Sequence, residues 1–151
     1  MNKSVFTIEK KDSVIGLAVR SYRAFRPGDL ITNLSGETRT RCDQHTLHLP
    51  SGKHLFDSRF AGYLEHSCQP NTWVDMQRLQ VYAIRPIQRG DWLSMDYATT
   101  EPVLFKQFAC ACSAPNCRRW ITGHSEQINA EGQQYVLSSI SSGVSLLVAA
   151  R

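Results

Sequence analysis

Arg89-Gly90-Asp91-Trp92-Leu93-Ser94-Met95-Asp96-Tyr97 reads as a turn followed by a strand. Glycine supplies the permissive φ of the turn, and the residues after it alternate between two faces. Leu93, Met95 and Tyr97 share one face. The Tyr97 phenol therefore sits among apolar neighbours, where it needs a polar partner or a role. On the pattern alone, a core tyrosine with a satisfied hydroxyl is the simpler reading.

The same grammar recurs outward from this stretch. Val14 to Val19, Leu30 to Leu34 after Arg26-Pro27-Gly28-Asp29, and Leu79 to Ile84 before Arg85-Pro86 are short apolar or alternating runs. Short runs punctuated by such turns predict a mostly-β domain. No internal repeat stands out. Glu101-Pro102 is expected to open one short helix, with proline at its first position. Tyr135, Val136, Ile140, Val144, Leu147 and Val148 recur at roughly helical spacing, so residues 124–151 are expected to be a tail that docks as a helix or frays.

The chain has 151 residues, of which 42% are hydrophobic and 20% charged. That suffices for one core and argues against wholesale disorder. The longest apolar stretch is too short to span a bilayer. The opening MNKSVFTIEKKD lacks an apolar run followed by a cleavage site, so the expectation is a protein that is not secreted. The net charge of +4 is mild, and no run of Lys or Arg marks a nucleic-acid arm. No membrane or direct nucleic-acid partner is expected, and the oligomeric state stays open.

Cys42, Cys68, Cys110, Cys112 and Cys117 make an odd set, which suits a disulfide scaffold poorly. Three crowd into Cys110-Ala-Cys112-Ser-Ala-Pro-Asn-Cys117, where a C-x-C pair cannot close on itself without severe strain. Thiolates converging on Zn²⁺ have no such limit. Such a site needs a fourth ligand, with Cys68 or Cys42 as candidates; ordinary buried thiols are the alternative. His45, His48 and His54 lie close in sequence but surround the turn Pro50-Ser51-Gly52, and are expected to be solvated hairpin histidines.

Three ordered motifs resemble the SET-domain family of protein lysine methyltransferases. Glu65-His66-Ser67-Cys68-Gln69-Pro70-Asn71 is similar to its N-H-S-C-x-P-N. Gly90-Asp91-Trp92-Leu93-Ser94-Met95-Asp96-Tyr97 is similar to its G-E-E-L-T-x-D-Y, and Cys110-x-Cys112-x4-Cys117 to its post-SET zinc motif. The resemblance covers about residues 5–123. It implies a mostly-β SET-domain (β-clip) fold of several small sheets with a pseudoknot-like crossing near the two central motifs. It divides the chain into a SET domain (1–104), a post-SET zinc-binding segment (105–123) and the C-terminal tail (124–151). It also makes Cys68 the fourth ligand of one structural zinc ion, with Cys110, Cys112 and Cys117, and leaves Cys42 free.

The implied chemistry is methyl transfer from S-adenosylmethionine to the ε-amine of a lysine in a protein or peptide, histone or not. Location would be cytoplasmic in a microbe, nuclear in a eukaryote. The amine must be neutral, which costs about 4.6 kcal/mol at pH 7 for an ordinary lysine. An apolar channel and a nearby sulfonium both lower that cost, so no strong base is needed. Tyr97 matches the catalytic tyrosine, acting by orientation and electrostatics. Ile15, Gly16, Leu17, Glu65, His66, Tyr97 and Phe108 are the implied cofactor-binding residues, Gly16 by permitting close approach. Asn71 is expected to fix a local turn. The chain departs from the family at Glu65 (Asn), Gly62 (often Arg), Leu34 (Tyr), Met95 (Phe or Tyr) and Val14 (the first glycine of G-x-G). These departures motivate the alternative of a weak or inactive SET-fold module that binds protein partners.

Overall fold

The turn-punctuated runs build five small sheets among the described residues of the computed structural model, which covers residues 5–149, with side chains through residue 142. β1 (Phe6–Asp12) and β2 (Gly16–Ser21) form an antiparallel hairpin. Asp12 Oδ1 fixes its turn by accepting the amides of Val14 and Ile15 at 2.8 and 2.7 Å. β1 lies outside the expected runs, because only Phe6 and Ile8 carry its apolar face before the charges begin.

β3 (Leu30–Asn33), β8 (Thr72–Asp75) and β9 (Gln80–Ala83) form a sheet in the order β3-β9-β8. β4 (Glu37–Arg39), β5 (Thr46–His48) and β6 (His54–Phe56) form another, with β6 central. The turn preceding β3 is used twice. Arg26-Pro27-Gly28-Asp29 and Gln88-Arg89-Gly90-Asp91 each close with an aspartate accepting, at 2.7 Å, the amide three residues earlier. Phe25 and Ile87, just before the two turns, exchange backbone hydrogen bonds at 2.9 Å. A short repeat is therefore present that the sequence, read linearly, does not announce.

One core joins these layers. Val19, Phe60, Leu64, Val81, Ile87 and Leu93 are each at most 2% exposed. Each such aliphatic or aromatic side chain contributes about 1.5–3 kcal/mol by leaving water.

The crossing of the two central motifs is short and specific. β7 (Glu65–His66) pairs in parallel with β10 (Ser94–Met95), in the register Glu65↔Ser94 and His66↔Met95. Asn71 fastens it. Its Nδ2 donates to the Trp92 carbonyl at 2.8 Å and its Oδ1 accepts the Ser94 amide at 2.9 Å. Asn71 thus ties strands across the crossing instead of fixing a local turn. The strand at Leu93 stops earlier than the alternation predicts. Asp96 Oδ1 caps a 3-10 turn, Tyr97–Thr99, by accepting the Ala98 amide at 3.1 Å. Tyr97 consequently heads a turn and does not continue the strand.

Glu101-Pro102 opens no helix. The Glu101 and Pro102 carbonyls accept the amides of His124 and Ser125, each at 3.0 Å, so this segment is bound to a later stretch of chain. β11 (Phe108–Ala109) and β12 (Trp120–Ile121) bracket the cysteine cluster. Within the tail Ala130–Ala149 form a helix, α1, capped by Asn129 Oδ1 on the Gly132 amide at 2.8 Å. Tyr135 stacks on Trp120 with centroids 5.5 Å apart, and Gly132 abuts that indole where a Cβ would clash. The expected apolar positions Val144, Leu147 and Val148 lie outside the described side chains.

Candidate functional site

A pocket of about 440 Å³ opens where the β1–β2 turn, β7 and the Tyr97 turn converge. Ile15, Leu17, Glu65, His66, Tyr97 and Phe108 all line it. Gly16 does not; it turns the chain, at φ 78°, between two residues that do. Residues far apart in sequence reach one cavity because β7 and β10 run side by side, which sets His66 next to Tyr97 with ring centroids 5.2 Å apart. Phe108 completes an edge-to-face trio, 5.8 Å from His66 and 6.0 Å from Tyr97.

The Tyr97 hydroxyl donates to the Leu64 carbonyl at 2.8 Å. Burial, then the charges of Glu65 and Glu101, hold the phenol well above its ordinary pKa. It is a hydroxyl at any working pH. Its proton is committed to Leu64, so the oxygen lone pairs remain as acceptors.

His66 is buried, and burial pushes its pKa down to about 4 against the opposing charge of Asp96. It is neutral at pH 7. Nδ1 accepts the Tyr97 amide at 3.3 Å, which assigns the proton to Nε2, 3.5 Å from Cys68 Sγ. The imidazole therefore joins the pocket to the cysteine cluster. Asp96 adds a second tie through a bidentate pair with Arg118, both contacts 2.6 Å. Burial acts to raise the Asp96 carboxyl, and the Arg118 guanidinium outweighs it, so the group stays ionised. Arg118 carries no motif signal, and only the fold brings it to Asp96.

Cys68, Cys110, Cys112 and Cys117 place their sulfur atoms within 4.8 Å of one another. Tetrahedral zinc with bonds of about 2.3 Å spaces its sulfurs by about 3.8 Å, and Cys68 to Cys110 measures 3.9 Å. The Arg118 and Arg119 amides donate to Cys68 and Cys117 at 3.3 and 3.4 Å, and such bonds stabilise thiolates. Burial pushes the Cys68 and Cys110 thiols up. At Cys112 burial acts upward, but the amides of Ala114 and Cys68 together with the Cys110 and Cys117 thiols outweigh it and bring the thiol down to about 6. The donor set fits a four-thiolate metal. Cys42 stays apart, half-buried on the pocket wall.

Several expectations are corrected or sharpened. The Glu65 carboxylate lines the pocket already paired: Lys11 donates to both its oxygens, at 2.7 and 2.8 Å, which leaves each oxygen further lone pairs. At Gly62 a Cβ would lie 2.8 Å from the His45 carbonyl and 2.9 Å from that of Asp57, so no arginine fits there. The three histidines are not merely solvated. His45 Nδ1 bonds the Gly62 carbonyl at 2.7 Å, and His48 and His54 meet edge to face across β5 and β6 at 5.5 Å. Among the described residues they form no metal cluster. Linear reading also missed a whole wall of the pocket, built from residues 42–47 with Thr100, Glu101 and Leu104. Those residues carry no motif, and loops of ordinary composition meet there.

A family model for the SET domain matches residues 8–98, well over half of the chain. The chain belongs to the SET-domain family. Its matches include the Drosophila melanogaster histone-lysine N-methyltransferase Set2, 28% identical over 86% of this chain and 6% of that protein. The Drosophila melanogaster histone-lysine N-methyltransferase trr is 39% identical over 40% of this chain and 3% of that protein. This SET domain thus spans only a small part of those relatives. Caenorhabditis elegans contributes a probable histone-lysine N-methyltransferase, set-23, 27% identical over 70% of this chain and 55% of that protein. Among solved structures, KRYPTONITE in complex with mCHG DNA and SAH superposes with a TM-score of 0.60 and 26% identity. That match covers 76% of this chain and 29% of the other. The SET domain's β-clip fold and its cysteine cluster therefore stand together. No helix among the described residues is long and apolar enough to cross a membrane.

Proposed function

We propose that this SET domain transfers the methyl group of S-adenosylmethionine to the ε-amine of a lysine in a protein. The observation that carries the reading is convergence. Six residues expected at the cofactor, from four separate stretches, line one pocket around Tyr97. SET relatives that are histone-lysine methyltransferases, and a neighbour solved with SAH, support the cofactor and reaction class.

S-adenosylmethionine supplies an electrophilic methyl on a sulfonium. The chain's own residues then have three tasks. Ile15, Leu17 and Phe108 give an apolar enclosure that excludes water and disfavours an ammonium inside it. Tyr97, its proton pinned on Leu64, accepts an N–H of the amine and aims the nitrogen lone pair. His66, neutral and held by the Tyr97 amide, fixes the angle between the pocket floor and the cysteine cluster. Cys68, Cys110, Cys112 and Cys117 would hold one structural zinc, which keeps the segment bearing Phe108 against the pocket. No strong base is required, because enclosure and a like charge already lower the amine's pKa.

Calorimetric titration with S-adenosylhomocysteine tests the cofactor, with Cys112→Ser as control. Saturable one-to-one binding, weakened in the control, is expected. Methyl transfer to histone H3 peptides then tests the acceptor. The Lys11–Glu65 pair favours the alternative of a binding module, since it occupies the carboxylate standing in the family's asparagine position. Absence of binding to S-adenosylhomocysteine, even with lysine-rich peptide present, would select that alternative.

A further inference from the structure

Glu101 is a pocket carboxylate with no ion-pair partner among the described residues. It is 6% exposed. Its Oε1 accepts the His48 amide at 2.9 Å and the Thr100 hydroxyl at 3.0 Å. Oε2 accepts no hydrogen bond from the described residues, and Glu101 is one of the residues that line the pocket. The other charged side chains on the walls are accounted for. Glu65 is held by Lys11, Asp43 by Arg39 at 3.0 Å, and Lys106 is exposed. Among the described residues no cationic side chain forms an ion pair with Glu101.

An ionised carboxylate withdrawn this far from water is unfavourable unless it is paired. Two neutral donors on one oxygen solvate the group without balancing its charge. Burial accordingly raises the Glu101 carboxyl above its ordinary range. The position is not accidental packing at a chain end. Glu101 is bound into the Tyr97 turn, its amide donating to the Tyr97 carbonyl at 2.9 Å, so the carboxylate is indexed to the phenol. The surrounding wall offers Leu47, Ala61, Leu64, Met95 and Leu104, which suit methylenes. Apolar walls with one unanswered carboxylate describe a receptor for an alkyl chain that ends in a positive charge.

We infer that Glu101 is a substrate-recognition residue, whose Oε2 pairs with a primary alkylammonium entering the pocket. The identity of that cation as a lysine side chain rests on the methyltransferase reading; the cation site itself does not. Pairing stabilises the protonated amine, so Glu101 serves capture and not deprotonation. Loss of the proton falls to the enclosure and to the like charge of the bound sulfonium.

The test titrates N-acetyl-lysine amide, and separately the uncharged N-acetyl-norleucine amide, into protein saturated with S-adenosylhomocysteine, observed by NMR. Wild type should prefer the lysine probe at least tenfold. Glu101→Gln keeps the two accepted bonds and removes the charge; it should reduce the preference to threefold or less with unchanged affinity for S-adenosylhomocysteine. Glu101→Asp keeps the charge and should retain a preference. The inference is overturned if wild type shows no preference or Glu101→Gln keeps it. Equal weakening of both probes in both variants, the sign of a packing role, also overturns it. If wild type fails to bind S-adenosylhomocysteine, the methyltransferase reading fails, and the same probes on the free protein still decide the cation site.

Discussion

Tyr97→Phe removes one oxygen and keeps the ring's edge-to-face contacts with His66 and Phe108. Two consequences can be separated by size. The lost hydrogen bond to the buried Leu64 carbonyl, 2.8 Å long, should cost about 2 kcal/mol of stability once the unsatisfied acceptor is included. For a chain of this size that is a fall in Tm of about 4–8 °C. Small domains have about 5–15 kcal/mol in hand, so more than about 99% of the variant stays folded at 25 °C. Unfolding therefore cannot slow the reaction measurably. Loss of an orienting hydroxyl at the reacting centre should, by a factor on the order of 10²–10³ in kcat. The assays are urea denaturation and transfer of labelled methyl to a peptide acceptor, on the same preparation. A variant destabilised as expected but transferring within threefold of wild type would reduce Tyr97 to a core tyrosine.

Three further outcomes follow from the geometry. Gly62→Ala forces a Cβ against the His45 and Asp57 carbonyls, and should lower stability by about 1–3 kcal/mol in urea denaturation; an unchanged midpoint would show that the backbone yields there. Purified protein should carry one equivalent of zinc by elemental analysis. Chelation should expose Cys68, Cys110, Cys112 and Cys117 to a thiol reagent and cut affinity for S-adenosylhomocysteine, whereas chelation without effect on binding would unlink the cluster from the pocket. Glu101 should make stability fall with rising pH. Its folded pKa is raised, so the folded state holds the proton longer than the unfolded chain. The penalty is absent below the unfolded value near 4.5 and grows until the raised folded value is passed. Glu101→Gln should therefore gain stability over wild type at pH 7.5 and lose that advantage near pH 4, and a pH-independent difference would contradict the burial argument.

What the sequence made legible was short-range or motif-bound. His66, Cys68 and Tyr97 declare themselves because chemistry fixes residue type and spacing together. The turns at Gly28 and Gly90 declare themselves because few residues adopt such φ values. What escaped depends on partners far along the chain. Asn71 looks like a turn residue until Ser94 arrives beside it. Lys11 and Arg118 are ordinary surface charges until the fold sets them on Glu65 and Asp96. Glu101-Pro102 has a sound helix-start pattern, but tertiary hydrogen bonds to His124 and Ser125 outweigh a local preference worth a fraction of that. The strand near Leu93 ends at Met95, sooner than its alternation predicts, because the Asp96 cap competes locally with the ladder.

The pairing of β7 with β10 sets an order of events for a chain emerging from a ribosome. Synthesis releases the N-terminal side first, at about 5–20 residues per second. The β1–β2 hairpin can close early, for its partners are neighbours. His66 waits for Met95, and Cys68 waits for Cys110, 42 residues behind it. The loops so closed are long, and their entropy must be met before any contact repays it. For several seconds each nascent molecule thus carries a half-built pocket and an unclaimed thiol. Capture of the proposed zinc would then come last in maturation, and a chain denied it would be expected to stall with its N-terminal sheets formed and its centre open.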